Sequence, residues 1–501
     1  MLLLGIDLGT SSIKVSVVDS QTQKCLVSVQ YPDTEVEIIS PKPGWAEQSP
    51  DTWWQHVQQA ILKANASGKY DPQDVGAIGI AYQMHGLVCV DERQKSLRNA
   101  IIWCDSRAID IGEKAFKKIG EKKCLSRLLN SPGNFTASKL AWIKKNEPKV
   151  YEKIYRVMLP GDFIAMKLTG NITTTIPALS EGIFWDFKKD RLSKEIFKYF
   201  DFEKEIVPHI HPVFAPHGEL KRNVAAALSF KSGIPVSYKA GDQPNNALSL
   251  NVLDPGEVAA TAGTSGVIYA VSDQLGYDLQ SRVNTFAHVN HKTASMYDDE
   301  VGGENRLGIL LCINGTGIMN RWVRDVFSQG MSYPEMDEAA KKIKPGCDNL
   351  RIFPFGNGAE RMLDNKVIGA HIQNFDINVH TPAHFSRAVQ EGIAFSFRYG
   401  LDIMRENGIR PKIIRAGRTN MFLSDVFTDA FVNSTQVAIE LYESNGSIGA
   451  AIGAGIGANY YASAKEAFQN MKKLKTVKPD SKSEYEDLYD DWKKYLVRLL
   501  K

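Results

Sequence analysis

Two carboxylates in this 501-residue chain, Asp7 and Asp242, stand beside residue types that handle phosphate. Asp7 follows a short apolar run, Leu2 to Ile6, and precedes Gly9-Thr10-Ser11-Ser12 and then Lys14 to Asp19, which alternates toward Val15 and Val17. The pattern reads as a hairpin of two strands. Its turn carries little side-chain bulk, so backbone N–H groups, the hydroxyls of Thr10, Ser11 and Ser12 and the charge of Lys14 are available to an anion. Asp7, at the end of the first strand, faces the same place and suits a magnesium ion held through water. Gly, Ser and Thr also build ordinary surface turns, and this stretch alone does not separate the two readings.

A second copy shifts the balance. Val258 to Val271 again runs strand, turn, strand around Gly263-Thr264-Ser265-Gly266, about half the chain later. Two related halves, each with a phosphate-gripping hairpin, can clamp one polyphosphate in a cleft between them. Just before the second copy a strand ending at Gly241 carries out Asp242 and Gln243, and Pro244 suits the first turn of the next helix. Phosphorylating an alcohol needs a group that accepts the hydroxyl proton while the terminal phosphate is held in line. Asp242 is the candidate base and a second candidate contact for magnesium; in isolation the same Asp would also serve as a helix N-cap.

Other elements must bring an alcohol to that base. Val75 to Ala81 is a small-residue strand whose carboxyl end delivers Gln83-Met84-His85-Gly86, and that end of a helix-covered sheet is where ligands are met. Gln83 and His85 suit the hydroxyls of a polar substrate, although a lone His after a strand also caps turns. Ala100 to Ile102 leads to Trp103 and Asp105, an aromatic face and a charge of the kind a sugar packs on and bonds to; Trp103 suits a core anchor equally. Ser49-Pro50 opens a helix from Trp53 to about Ala66 with Trp53, Val57, Ala60 and Ile61 on one face. His209, His211 and His217 lie in Pro-rich sequence and read as solvated loop histidines rather than a metal site. Residues 275–314 read as surface hairpins. The glycines from Gly446 to Gly457 fall at helical spacing, which permits either close helix packing or approach of an adenine ring. The segment from Tyr485 to Leu499 reads as an amphipathic helix packed back on the body.

These stretches, with Trp45-Ala46-Glu47-Gln48, Phe135 to Trp142 and Leu159 to Phe163, fall in the order and spacing of the FGGY carbohydrate kinases, which the whole chain resembles. The resemblance implies an α/β fold of two ribonuclease H-like domains of the actin and hexokinase type around a central cleft. It implies ATP as phosphoryl donor, Mg²⁺ as cofactor, and a sugar as acceptor against Gln83, Met84, His85, Trp103, Asp105, Asp242 and Gln243. The phosphates would lie on Gly9 to Ser12, Lys14 and Gly263 to Ser265, with Gly315, Gly417 and Asn420 lining the nucleotide site. The Gln-Met-His-Gly signature is most similar to the branch acting on D-xylulose; another ketose or a polyol is the alternative, and a nucleotide-switched binding protein a more distant one. The family's three consecutive glycines are replaced by Arg415-Ala416-Gly417, which weakens the nucleotide-side expectation.

Length suggests two domains of about 250 residues each, and the resemblance implies the first over 1–245 and the second over 246–480, with a C-terminal helix over 481–501. Sixty basic residues against 57 acidic give a net charge of +3 without a block of like charge, so no nucleic-acid partner is indicated. Six scattered cysteines include no C-x-x-C pair and fit a reducing cytoplasm. No secretory signal opens the sequence, and no apolar run reaches the roughly 18 residues of a membrane span. Neither a Walker A nor a Rossmann fingerprint is present. The sequence leaves the oligomeric state open, a homodimer being one option.

Overall fold

The computed structural model describes residues 1–293, 304–482 and 484–501. Its frame is two sheets of matching topology. The first is built from β1 (Leu2–Leu8), β2 (Ile13–Asp19), β3 (Cys25–Tyr31), β4 (Val75–Tyr82) and β5 (Val236–Gly241), in the order β3-β2-β1-β4-β5. β1 pairs antiparallel with β2 and parallel with β4, and β5 is parallel to β4. The second is built from β6 (Glu257–Ala262), β7 (Gly266–Ser272), β8 (Asn284–Ala287), β9 (Leu307–Ile313), β10 (Ile413–Gly417), β11 (Ile439–Tyr442) and β12 (Lys473–Val477). Its order is β8-β9-β7-β6-β10-β11-β12. β6 repeats the pairing of β1, antiparallel to β7 and parallel to β10, and β11 is parallel to β10. The hairpin, crossover and crossover of the first sheet thus recur in the second, with β8 and β12 added at its edges.

Helices cover these sheets. α1 (Pro50–Asn65) starts as its sequence dictates: Ser49 caps it by accepting from the Thr52 N–H at 3.2 Å, Pro50 occupies the first turn, and Trp53, Val57, Ala60 and Ile61 are buried. Then follow α2 (Thr136–Asn146), α3 (Ile176–Glu181), α4 (Asp242–Ser249), α5 (Gly317–Phe327), α6 (Pro382–Glu406), α7 (Asp425–Thr435), α8 (Gly446–Gly457) and α9 (Tyr485–Leu499). α9 buries Tyr485, Tyr489, Trp492 and Leu496; Trp492 stacks on Phe353 and donates its indole N–H to the Ile352 carbonyl at 3.0 Å.

The glycines of α8 serve packing. This helix lies on the first sheet, although its sequence lies deep in the second half of the chain. A Cβ on Gly5 would come within 1.8 Å of the Ser447 carbonyl oxygen, one on Gly79 within 1.9 Å of that of Ala450, and one on Gly457 within 1.8 Å of that of Ser237. Glycines on both partners let backbone meet backbone, and that contact offsets the roughly 1 kcal/mol that each helical Gly costs. A simple cut near residue 245 therefore does not divide the packing.

Two expectations change. Residues 275–314 do not run over the surface throughout: β8 and β9 belong to the second sheet, and Leu307–Ile313 is buried at every position but Cys312. Residues 294–303 of that stretch lie outside the described residues. His217 is not solvated either; it is 1% exposed and bonded to the Thr173 hydroxyl at 3.1 Å, and burial holds its pKa well below the usual value, so the ring is neutral. Among the described residues no cluster of three or more His, Cys, Asp or Glu side chains is placed to hold a metal ion, and no helix is long and apolar enough to cross a membrane.

Candidate active site

Strand register brings the candidate residues to one edge. Leu8 pairs with Tyr82, and Tyr82 with Gly241, so the carboxyl ends of three adjacent parallel strands stand level. Asp7, the segment Gln83 to His85, and Asp242 therefore emerge side by side, with Asp7 and Asp242 two strands apart, on the order of 10 Å. Asp242 is the first residue of α4, whose N-cap is Gly241, so its place in the helix is not that of an N-cap.

The two carboxylates feel each other. Burial, and then the charge of Asp7, push the Asp242 pKa up to about 7, against hydrogen bonds from Gln243 that lower it. Burial raises Asp7 as well, and the cross-strand charge of Lys14 offsets only part of that. A pair of hard oxygen donors left electrostatically uncompensated is what a divalent cation satisfies, so the residues present fit Mg²⁺. The Gln243 Oε1 is buried without a partner.

A polar chain ties the first hairpin to the strand ends. The Thr10 hydroxyl donates to Gln83 Oε1 at 3.2 Å, Gln83 Nε2 donates to Gln48 Oε1 at 3.0 Å, and the Gln48 amide returns to the Thr10 carbonyl at 2.8 Å. Trp103, 53% exposed, donates its indole N–H to the Thr10 hydroxyl at 3.0 Å, so its ring lines open space and is no core anchor. No acceptor among the described residues takes the N–H groups of Thr10, Ser11 or Ser12. Gln83 and Met84 are buried beneath this layer.

Asp105 departs from the expectation of a sugar contact. It is fully buried, accepts from the Ala46 N–H at 2.6 Å, and both of its oxygens are bound by Arg107. Arg107 in turn reaches Glu47 at 2.7 Å and stacks over Trp45. With every lone pair engaged inside the protein, Asp105 anchors the strand end and presents nothing to a ligand.

The second hairpin opens on a cavity of about 450 Å³, lined among others by Gly263, Thr264, Asn320, Asp337, Gln390 and Asn420. That is room for a nucleoside. Ser265 is exposed at the tip of the turn. Gly315 does not line this cavity: its N–H is taken by Glu360 at 3.2 Å, and a Cβ would strike the Pro354 carbonyl, so its smallness serves packing. Gly417 ends β10 with ordinary contacts only, and the nearest atom to a Cβ there is 3.5 Å away. Arg415 turns from the cavity to ion pairs with Glu257 on β6 at 2.9 Å and Glu440 on β11 at 3.2 Å, which accounts for a large residue where the family has glycine.

Several residues at the site went unread in the sequence. The His85 ring packs edge-on against Phe135 at 4.9 Å and beside Phe286 of the second sheet at 5.3 Å. Burial, followed by the charges of Lys139 and Arg361, holds the His85 pKa down to about 3, so the imidazole is neutral. Lys139 lies within the Phe135 to Trp142 stretch, where residue type alone assigns it no role, and nothing local marks Glu181 or Phe286. Gln390 and Asp337, bonded to each other at 2.9 Å, form the polar wall of the cavity; only their convergence from α6 and a separate helix reveals them.

Comparison with known proteins agrees with this architecture. Residues 2–249 match the N-terminal domain of the FGGY family of carbohydrate kinases. The xylulose kinase of Lactococcus lactis is 28% identical, the alignment covering 98% of this chain and 95% of that protein. A ligand-bound xylulose kinase from Lactobacillus acidophilus superposes with a TM-score of 0.88 at 21% identity, over 99% of this chain and 98% of the other. A Plasmodium falciparum glycerol kinase with ADP superposes with a TM-score of 0.87 at 21% identity, over 100% and 98%. With paired sheets of repeated topology, a family match over its first half and relatives along nearly its whole length, the chain belongs to the FGGY family of carbohydrate kinases, enzymes that phosphorylate sugars with ATP.

Proposed function

We propose that the chain transfers the γ-phosphoryl group of ATP to a hydroxyl of D-xylulose, giving D-xylulose 5-phosphate. The observation that carries this is the level placement of Asp7, His85 and Asp242 at three adjacent strand ends. Asp242 takes the proton of the sugar hydroxyl as its oxygen bonds the γ-phosphorus; the bond to the β-phosphate oxygen breaks and ADP leaves with the electron pair. A carboxylate pushed up to about 7 is a stronger base than an exposed one. The N–H groups of Thr10 to Ser12, the hydroxyls of Ser11 and Ser12 and the turn Gly263 to Ser265 hold the phosphates, and the cavity beside the second turn takes the nucleoside.

The residues that would hold Mg²⁺ are Asp7 and Asp242; the ion supplies positive charge against the phosphates. The neutral His85 imidazole and the Trp103 ring hold the sugar by hydrogen bonding and by stacking on its C–H face. Xylulose is favoured by the Gln83-Met84-His85-Gly86 segment and by near-full-length relatives named xylulose kinases. Six free cysteines fit a reducing compartment, and we place the enzyme in the cytoplasm.

A coupled ADP-release assay across D-xylulose, ribulose, sedoheptulose, gluconate and glycerol tests the substrate; xylulose ranking below another acceptor by kcat/KM would replace it. Asp242→Asn tests the base. We expect turnover to fall by about 10³-fold or more, with ATP affinity within about threefold of wild type. Normal turnover in that variant refutes the assignment.

A further inference from the structure

The turn that carries His85 is gripped by two buried side chains from elsewhere in the chain. His85 sits at φ +59°, in the left-handed region that few residues with a Cβ adopt. Its N–H donates to Glu181 Oε1 at 2.9 Å, and its carbonyl accepts from Lys139 Nζ at 2.8 Å. Lys139 also donates to the Ile102 carbonyl at 3.0 Å, one residue before Trp103. Both grips come from the far ends of short helices: Lys139 lies in the first turn of α2, and Glu181 is the last residue of α3.

Neither side chain is there for want of an apolar alternative. Lys139 is fully buried and Glu181 is 2% exposed, in surroundings where charge is costly. Burial brings the Lys139 ammonium down to about 7 and raises Glu181 well above the usual carboxylate range. The other Glu181 oxygen lies over Gly241, where a Cβ would approach it to 2.9 Å and Met84 Cγ to 2.6 Å. One carboxyl group therefore touches both the His85 peptide and the strand end that presents Asp242. With the ring fixed by Phe135 and Phe286, the His85 Nδ1 is buried and has no partner.

We infer that Lys139 and Glu181 are positioning residues for the sugar: they hold the His85 peptide in its left-handed conformation so that the imidazole meets a substrate hydroxyl, and Glu181 fixes that imidazole relative to Asp242. The inference rests on the functional reading above and extends it to two residues that touch neither sugar nor nucleotide.

A double-mutant cycle of Lys139→Met and His85→Ala tests it, read as KM for the ketose, KM for ATP and kcat. In the wild-type background Lys139→Met is expected to raise the ketose KM about tenfold or more, with the ATP KM within about twofold. In the His85→Ala background the same change should move the ketose KM by no more than about threefold, because only the Lys139 grip on the Ile102 carbonyl beside Trp103 is left to lose. Additive effects, or an ATP KM that rises in step, overturn the inference. Should Lys139→Met fail to fold, Glu181 decides the matter. Glu181→Gln keeps an oxygen for the His85 N–H and is expected within about threefold of the wild-type ketose KM, whereas Glu181→Leu loses it and should raise that KM about tenfold. Equal effects of the two overturn the clamp. A wild type that turns over ketose with an additive cycle refutes the clamp alone; a wild type that phosphorylates no sugar refutes the functional reading and the clamp with it.

Discussion

Gly446, the first residue of α8, lies directly against the carboxylate of Asp7 near the other end of the chain: a Cβ on Gly446 would approach Asp7 Oδ2 to 2.4 Å. The contact is anchored from both sides. Asn245 Nδ2 donates to the Gly446 carbonyl at 2.8 Å, and the Ser447 hydroxyl shares a 2.8 Å hydrogen bond with Ser16 on β2. The start of this helix thus sets how far the Asp7 side chain leans toward Asp242, and Asn245 joins it to the helix that carries Asp242. Gly446→Ala is expected to lower kcat about 10-fold or more while the fold is kept, since one methyl pushes on one carboxylate. Steady-state kinetics beside a thermal melt would check this; unchanged kcat would show that Asp7 has room to move.

The burial of Asp242, with the charge of Asp7 beside it, has a sign in stability. The folded-state pKa of Asp242, about 7, lies above the roughly 3.9 of an unfolded Asp. Stability is therefore full below about pH 4, falls as pH rises through 7, and stays reduced above it. Asp242→Asn removes the ionising group. In metal-free buffer the variant should be more stable than wild type at pH 8, by about 1–3 kcal/mol after allowance for solvent screening, with the difference vanishing near pH 4. Denaturant melts at the two pH values provide the comparison, and a variant less stable at pH 8 would contradict it.

Trp103 is tied to the first hairpin through one hydrogen bond to Thr10. Trp103→Phe keeps an aromatic face but loses the indole N–H. The ketose KM is expected to rise about 3- to 10-fold, with a smaller effect on the ATP KM. In the wild type, ketose binding should also change tryptophan fluorescence, a signal much reduced in the variant.

Arg415 bears on the fold and not on the nucleotide. Its side chain joins β6 and β11 through Glu257 and Glu440 and does not line the cavity beside the second hairpin. Arg415→Met leaves Glu257 without that partner and should cost about 1–3 kcal/mol in a denaturant melt. ATP affinity by calorimetry should stay within about twofold. A large loss of affinity without a loss of stability would reverse this reading.

Much of the fold was legible because its signals are local. Glycine-rich turns between strand-length apolar runs marked both hairpins, Ser49-Pro50 marked a helix start, and the small-residue strand from Val75 pointed to a sheet covered on both faces. The same local rules explain the failure at β9, whose apolar run Leu307–Ile313 sits beyond a long polar stretch and was passed over. Chain order could not show that α8 crosses to the first sheet, because the complementarity of Gly446 to Gly457 with Gly5 and Gly79 exists only once backbone meets backbone. Nor could residue type show that Asp105 is consumed by Arg107 while Trp103, two residues away, stays open. The sequence by itself determined which side chains end the strands. The tertiary structure alone decided which of them share a cleft, since hydrogen-bonded register levels Leu8, Tyr82 and Gly241, and register is a property of paired strands rather than of any one of them.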